Sequence, residues 1–115
     1  MSTVADCLFC RIVAGEIPAE VVASNADAVA FRDINPQAPL HVLVVPREHH
    51  ADVAQLAAAD PALLAAVVAL ADQVAGTEAD GQFRLVFNTG PGAGQSVFHV
   101  HAHLLGGARL GWNPA

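Results

Sequence analysis

The sequence predicts an α+β fold in which a mainly antiparallel, five-stranded sheet is accompanied by one long and one short helix. Two segments carry apolar residues at helical spacing, and five others are short and rich in β-branched or aromatic residues. Their order along the chain is helix, hairpin, strand, helix, strand, strand. Since 115 residues suffice for one compact core, we expect a single domain over residues 1–115.

The first half of the chain supplies the short helix and three strands. Apolar residues between Leu8 and Val13 share one helical face, and Gly15 ends this helix. A hairpin follows, with strands over 20–24 and 28–33 joined by a polar turn. The nearly continuous apolar run His41–Val45 then predicts a central strand that is covered on both faces.

The second half supplies the long helix and the last two strands. Asp60 as N-cap and Pro61 at the first position begin the helix, and Gly76 is its predicted C-cap. The next strand is Phe83–Phe87, and the last contains the alternating run His99–His103. Residues that form the buried helical stripe are Leu63, Val67, Leu70, Ala71 and Val74.

Charge and hydropathy exclude two classes of partner. The formal net charge is −6, lysine is absent and the five arginines are scattered, so we expect no binding to polymeric nucleic acid. Any bound phosphate must be held by backbone N–H groups, Asn, Ser and His, which suits one small nucleotide-like ligand. The apolar run 61–71 is too short to span a bilayer and no secretory signal is visible, so we expect a cytoplasmic protein.

Cys7 and Cys10 form a Cys-x-x-Cys pair at the first helix. One helical turn brings the two sulfurs onto neighbouring faces, where they could bind one Zn²⁺. A redox pair would follow a strand in a βαβ pattern, which this sequence lacks, and a stable disulfide is not expected in the cytosol. We favour zinc, with two unrelated buried thiols as the open alternative.

His99, His101 and His103 alternate with two apolar residues. On a regular strand the three imidazoles would share one face, with neighbours roughly 6–7 Å apart and the outer pair roughly 13 Å apart. That span is too long for the outer pair to bind one metal, and a purely structural role would leave several ring nitrogens without partners. The loop 88–96, with three glycines, precedes the trio. We expect this loop to hold a phosphate while a histidine attacks it.

Taken in order, these segments resemble the histidine triad (HIT) family, specifically its Hint branch. The resemblance covers almost the whole chain and is highly specific in Gly94–Gly107. The other segments that carry it are Cys7–Cys10, Gly15–Pro18, Phe31–Pro39, His41, Val45–His49 and the loop from Asn88.

The resemblance implies a homodimer whose two sheets join into one, and an enzyme that acts on purine nucleotides. It implies a nucleoside phosphoramidase or nucleotidyl hydrolase that needs no metal for catalysis. His101 would attack the α-phosphorus and displace an amine or another leaving group. Water would then hydrolyse the nucleotidyl-histidine.

Roles for other residues also follow from the resemblance. His41 and His103 would flank the phosphate, and Asp33 would accept hydrogen bonds from the ribose. Asn88, Gly94 and Ser96 would hold phosphate oxygens or the leaving group, with Ser96 counted among the catalytic residues. The base pocket would be lined by Phe9, Ile17 and Ile34. A structural zinc would be bound by Cys7, Cys10, His49 and His99, with His50 as the alternative to His49.

Two other functions stay open from the sequence. One is a metal-dependent hydrolase that holds a catalytic zinc with His41, His101 and His103, because a His-x-His pair plus a third histidine is a zinc geometry. The other is a nucleotide-binding interaction protein with little turnover. We expect the nucleotidyl hydrolase.

Overall fold

The computed structural model describes residue 4 and residues 6–112. A five-stranded antiparallel sheet in the order β1-β2-β3-β5-β4 confirms the predicted fold class. The strands are β1 (Val21–Ser24), β2 (Ala28–Arg32), β3 (Leu40–Pro46), β4 (Phe83–Phe87) and β5 (Ala102–Gly106). Within the described residues the α-helices are α1 (Leu8–Val13), α2 (Val53–Ala59) and α3 (Pro61–Glu78), and Pro91–Ala93 forms one short 3-10 turn.

The two faces of the sheet carry separate apolar cores, and alternate residues of β3 belong to each. Val42 and Val44 face the core that holds the buried stripe of α3. Leu43 and Val45 face a second core that includes Phe9 of α1. Because His103 pairs in register with Leu43, its ring lies on the α1 side of the sheet. The polar chemistry of the fold is therefore concentrated on the α1 face.

Helix α3 begins as predicted and ends later. Asp60 accepts a hydrogen bond from Leu63 N at 3.1 Å, and Pro61 is the first residue of the helix. The prediction that Gly76 caps the helix is wrong: the helix runs to Glu78, and Gly81 at φ +75° supplies the turn instead. By length and mean hydropathy (18 residues, 1.2), α3 could cross a membrane, but its apolar stripe packs on the sheet as in a core helix.

The predicted pair of helices misses α2. Asp52 caps this helix by accepting a hydrogen bond from Gln55 N at 2.9 Å. Only Leu56 of its seven residues is buried, so the sequence carries no apolar stripe that would have revealed it.

The three histidine rings lie on the α1 side of the sheet, as predicted, but they do not lie on one regular strand, so that part of the prediction is wrong. Strand β5 begins at Ala102, and His99–His101 precede it. Val100 N donates a hydrogen bond to His50 O at 2.7 Å, outside any ladder. This irregular segment lets His99 turn toward α1, while the rings of His101 and His103 lie 5.1 Å apart.

Candidate active site

A cavity of about 440 Å³ lies between α1 and the sheet, within the size range of small-molecule sites. Six residues that the sequence predicts for the site line it: Phe9, Asp33, Ile34, Ser96, His101 and His103. The other lining residues are Leu8, Ile12, Pro18, Ala19, Glu20, Phe31, Arg32, Leu43 and Val97. One wall is apolar, and the histidines and Asp33 contribute polar groups.

Four predicted residues are not among those that line this cavity. His41 lies behind His103, in contact with it. Asn88 and Gly94 belong to the glycine loop beside the cavity, where an ideal Cβ on Gly94 would be 3.9 Å from Asn88 Nδ2. Ile17 is half-buried after α1 and stays outside the lining.

The ring of His101 is held in one tautomer by the backbone. His101 Nδ1 lies 3.0 Å from the carbonyl oxygen of His99, which can only accept, so Nδ1 carries the hydrogen. Phe9 packs edge-on against the ring with centroids 5.1 Å apart, and the side chain is 8% exposed. Nε2 therefore keeps its lone pair, on a ring that lines the cavity.

His41 and His103 form a chain of hydrogen bonds that starts at the backbone N–H of Gln37. Gln37 N donates to His41 Nδ1 at 2.9 Å, so the hydrogen of the neutral His41 ring sits on Nε2. That Nε2–H faces His103 Nδ1 at 3.0 Å and Asp33 Oδ2 at 3.4 Å. When His103 Nδ1 accepts this hydrogen, His103 Nε2 carries its own hydrogen and is a donor.

Burial lowers the pKa of His103 below its ordinary value, and the neighbouring His101 and His41 lower it further while Asp33 opposes them. A neutral His103 agrees with its Nδ1 as a hydrogen-bond acceptor. With both rings neutral, these tautomers give the pair one bare nitrogen, Nε2 of His101, and one N–H donor, Nε2 of His103.

Asp33 is fixed from two directions. Its Oδ1 accepts a hydrogen bond from Asn35 N at 2.8 Å, and its backbone N donates to His41 O at 3.1 Å. The side chain is 17% exposed and lines the cavity, so its oxygens retain acceptor capacity toward a ligand.

Gln95 holds the glycine loop, a role that was not predicted from the sequence. The side chain is 4% exposed; its Oε1 accepts from Gly90 N at 2.8 Å, and its Nε2 donates to Ala51 O and Val97 O at 2.7 and 3.0 Å. A glutamine inside a polar glycine loop gives no sequence signal of burial. These bonds tie the loop, and with it Ser96, to the segment before α2.

Cys7, Cys10, His49 and His99 form what we call the thiol cluster, with one ligand atom from each within 4.8 Å of the others. His99 Nδ1 lies 3.5 Å from Cys7 Sγ and 3.4 Å from Cys10 Sγ, and His49 Nδ1 lies 3.4 Å from Cys10 Sγ. A tetrahedral zinc with ordinary bond lengths separates sulfur and nitrogen ligands by about 3.5 Å. The four residues therefore fit a metal of this kind.

The ring of His99 is prepared for this role. Its Nε2 donates to Pro46 O at 2.8 Å, which leaves the Nδ1 lone pair toward the two sulfurs. Burial lowers the pKa of His99 to about 4, so the ring is neutral at neutral pH. His50, the alternative ligand, is outside this cluster. Its Nε2 lies 3.0 Å from Glu48 Oε1 instead.

The chain is similar to proteins of a known family over most of its length. The profile of the HIT domain family matches residues 14–110. An uncharacterized HIT-like protein of Synechococcus elongatus is 42% identical over 110 residues, covering 95% of this chain and 96% of that protein. Protein HitA of Neisseria gonorrhoeae is 42% identical over 103 residues, covering 88% of this chain and 95% of its own.

Solved structures extend the similarity to the fold. A HIT family hydrolase from Legionella pneumophila superposes with a TM-score of 0.90 at 46% identity, covering 96% of this chain and all of that one. A histidine triad nucleotide-binding protein from Candida albicans gives a TM-score of 0.79 at 29% identity, covering 94% of this chain and 83% of that one.

Proposed function

This chain belongs to the HIT domain family, and we propose that it is a nucleotidyl hydrolase that cleaves purine nucleoside phosphoramidates through a nucleotidyl-histidine. The names of two solved relatives, a hydrolase and a nucleotide-binding protein, support this class. The observation that carries the proposal is the ring of His101, whose hydrogen is held on Nδ1 by the carbonyl of His99.

In the first half-reaction, the Nε2 lone pair of His101 forms a bond to the α-phosphorus while the bond from phosphorus to the amine nitrogen breaks. The amine leaves with a proton supplied by solvent. The substituted imidazole becomes cationic, and its Nδ1–H still donates to His99 O, which stabilises that charge. His103 Nε2–H would donate to a phosphate oxygen, and the chain from Gln37 through His41 keeps this donor oriented.

In the second half-reaction, water attacks phosphorus and the bond to His101 Nε2 breaks. The proton consumed at the start returns to solvent, so the whole reaction uses one water and yields an amine and a nucleoside monophosphate. His101 regains its neutral form with the hydrogen on Nδ1, ready for another cycle.

The remaining contacts fit the parts of a nucleotide. Asp33 would accept hydrogen bonds from the ribose hydroxyls, and Ser96, Asn88 and Gly94 would hold phosphate oxygens or the leaving group. The apolar wall with Phe9 and Ile34 would hold the base, and Ile17 would border it. Ile34 is fully exposed, so a base could cover it and bury apolar surface.

We propose that the thiol cluster binds a structural zinc through Cys7, Cys10, His49 and His99. Backbone N–H groups already support both sulfurs, since Cys10 N donates to Cys7 Sγ and Val4 N to Cys10 Sγ, each at 3.4 Å. A zinc ion with four protein ligands would cross-link the segments that carry them and would have no open position for a substrate. No catalytic step therefore needs it. Cys7 and Cys10 form no disulfide, which suits a reducing compartment and supports a cytoplasmic location.

The metal-dependent hydrolase is not favoured. Ligand atoms of Asp33, His41 and His103 do lie within 4.8 Å of one another. A neutral imidazole has one bare nitrogen, however, and in His41 the amide of Gln37 occupies it. His41 Nε2 carries the one N–H hydrogen of the neutral ring, so it could ligate a metal only if the ring lost that hydrogen as well.

We also propose that two copies pair into a homodimer through an edge of the sheet. The available edges are β1, whose register shifts between Val21 and Ala23, and β4, whose register is regular. A regular edge is the better template for another strand, so we expect β4 to form the continuous sheet. Sedimentation velocity would give the mass of two chains, and a monomer at micromolar concentration would contradict the proposal.

The decisive test of the enzyme is His101→Asn. We expect it to lower the kcat for an adenosine or guanosine phosphoramidate by about 10³-fold or more, because no other bare nitrogen is in place to attack. His50→Asn is the matched control, since His50 does not line the cavity. Intact-protein mass spectrometry of rapidly acid-quenched wild type should detect one added nucleotidyl group.

Two outcomes would contradict the proposal. Equal turnover by the wild type and His101→Asn would exclude His101 as the nucleophile. Tight binding of a nucleoside monophosphate, with no hydrolysis of any phosphoramidate or mixed anhydride, would favour the interaction protein instead.

A further inference from the structure

We propose that Cys7 and Cys10 are a modification site, which a peroxide oxidises to a disulfide, and that this disulfide slows the attack by His101. The effect on turnover rests on the proposed function, whereas formation of the disulfide does not. The change reaches His101 through two contacts that the reduced chain already makes, one with Phe9 and one with His99.

The first turn of α1 brings the two cysteines together. Cys7 is the N-cap of this helix, and its Sγ accepts a hydrogen bond from Cys10 N at 3.4 Å. Residues three positions apart in a helical turn have Cα atoms about 5 Å apart, within the range of about 4.4–6.8 Å that a disulfide needs. The two sulfurs already lie within 4.8 Å of each other. The helix therefore need not unfold for them to bond.

A small oxidant can reach both residues. Cys7 is half-buried and lines a cavity of about 430 Å³, and Cys10 lines another of about 500 Å³. No other thiol competes, because Cys7 and Cys10 are the two cysteines of the sequence. A peroxide that oxidises a thiol of this chain therefore does so here. A disulfide in a reducing compartment is typically transient and redox-sensing, which suits a switch.

The oxidation is balanced by the peroxide alone. The sulfur of the more exposed Cys7 attacks one oxygen of hydrogen peroxide; the O–O bond breaks, and a sulfenic acid and one water form. Cys10 Sγ then attacks the Cys7 sulfur, the S–O bond breaks and a second water leaves. The thiols lose two electrons and two hydrogens in all, which the peroxide takes up. Because a disulfide offers no thiolates, the thiol cluster then loses its affinity for zinc.

Phe9 lies between the two cysteines in α1 and contacts the proposed nucleophile. The side chain is 5% exposed, and its ring packs edge-on against the ring of His101 at 5.1 Å and that of His99 at 6.0 Å between centroids. A closely packed buried ring has little free space in which to absorb a shift of its own helix. A change in the first turn of α1 is therefore passed to the ring of His101.

His99 makes the second connection. Its Nδ1 lies 3.5 Å from Cys7 Sγ and 3.4 Å from Cys10 Sγ, and its carbonyl oxygen lies 3.0 Å from the Nδ1 of His101 that donates to it. Since the sulfurs of a disulfide lie about 2.05 Å apart, their formation of a bond changes these contacts with His99. A shift of about 1 Å in a reacting group can lower the rate by up to about 10²-fold, so we expect kcat to fall about tenfold.

The test treats the reduced, zinc-supplied full chain with hydrogen peroxide. Intact-protein mass spectrometry should show a loss of about 2 Da for the two hydrogens, and a chelating dye should detect zinc released in the same proportion. The kcat for a nucleoside phosphoramidate should fall about tenfold in the oxidised chain. Dithiothreitol with added zinc should restore the wild-type kcat.

Two variants separate the disulfide from its transmission. Cys10→Ser cannot form the bond, so peroxide should leave its kcat at the value measured before treatment. Phe9→Leu should form the disulfide as the wild type does. Its kcat should fall by only about threefold, because an aliphatic side chain packs differently against His101 and transmits less of the shift.

Failure of this inference is distinguishable from failure of the proposed function. If the reduced chain hydrolyses no phosphoramidate, the proposed function fails, and the ¹⁵N chemical shifts of the His101 ring before and after oxidation measure the coupling instead. If peroxide forms no disulfide, or if the disulfide forms and changes neither kcat nor these shifts, the cysteine pair is not a switch.

Discussion

His99 and His101 lie two residues apart, but the backbone holds their rings through opposite nitrogens. His99 donates from Nε2 to Pro46 O, so its bare Nδ1 faces two cysteine sulfurs. His101 donates from Nδ1 to His99 O, so Nε2 is the bare nitrogen, on a ring that lines the cavity. One carbonyl for each ring decides which nitrogen is free.

Position in the alternating run His99–His103 therefore does not set the role of a histidine. His99 is fully buried among groups that could bind a metal, whereas His101 is 8% exposed and lines a cavity large enough for a ligand. Under the proposed function, the same side chain would serve as a metal ligand in one place and as a nucleophile in the other. Variants of the two histidines test whether the two roles are as separate as these contacts indicate.

The largest effect expected is on stability, from His99→Asn. The variant removes a buried ring and leaves Pro46 O without its donor, so the free energy of unfolding should fall by about 3–5 kcal/mol. Denaturant unfolding measures this change, and elemental analysis should show that bound zinc falls with it.

His101→Asn is the comparison variant for that experiment. It should lose turnover while keeping most of the unfolding free energy and all of the metal. The separation of roles would be contradicted if His99→Asn kept its stability and metal, or if His101→Asn lost them.

The sequence predicts the separation of roles only in part. The alternating histidines indicate a phosphate site, and the Cys-x-x-Cys pair indicates a metal site. The resemblance to the HIT family then assigns individual residues to each site. The tautomers depend on Pro46 O, His99 O and Gln37 N, which are backbone atoms brought close by tertiary structure. No side-chain pattern records such contacts, so they could not be predicted.

The fold was predictable where the pattern is strong. The strands agree with the structure to within a residue or two where the apolar periodicity is clear, as in Phe83–Phe87. Helix α2 was not predicted because its alanine-rich sequence has no apolar residues at helical spacing. Gly76 was predicted to end α3 because a glycine inside an exposed part of a helix has the same sequence signal as a C-cap glycine. The last strand was predicted too early because His-x-His alternation continues before Ala102 without any ladder.

A smaller effect is expected from Gln95→Glu. The variant keeps an acceptor for Gly90 N but loses the donors to Ala51 O and Val97 O, which should lower the unfolding free energy by about 2 kcal/mol. The loop should also loosen, so that KM rises and the amides of 90–96 exchange faster with deuterium.

Gln73→Glu, on the exposed surface of α3, is the control for Gln95→Glu. It should change neither KM nor amide exchange in the glycine loop. If the amides of the glycine loop exchange as slowly in Gln95→Glu as in the wild type, Gln95 does not hold the loop.

The smallest effect expected is the pH dependence from His103. Because its pKa in the folded chain is below the ordinary value of 6.5, the unfolded chain takes up the proton first as pH falls. Its contribution to stability is thus complete above about pH 6.5 and is lost as pH falls through the lower folded pKa. In His103→Gln, the decrease of Tm between pH 7 and pH 5 should be shallower than in the wild type. An equally steep decrease would contradict a neutral His103.

The central claim is that backbone carbonyls set opposite tautomers in His99 and His101, and ¹⁵N NMR of the imidazole rings tests it most directly. Two-bond couplings between ring nitrogens and ring hydrogens distinguish the two tautomers at neutral pH. We predict a hydrogen on Nε2 of His99 and on Nδ1 of His101, with His101 Nε2 bare. A spectrum with the hydrogen of His101 on Nε2 would contradict the account, because that ring would have no lone pair available for phosphorus.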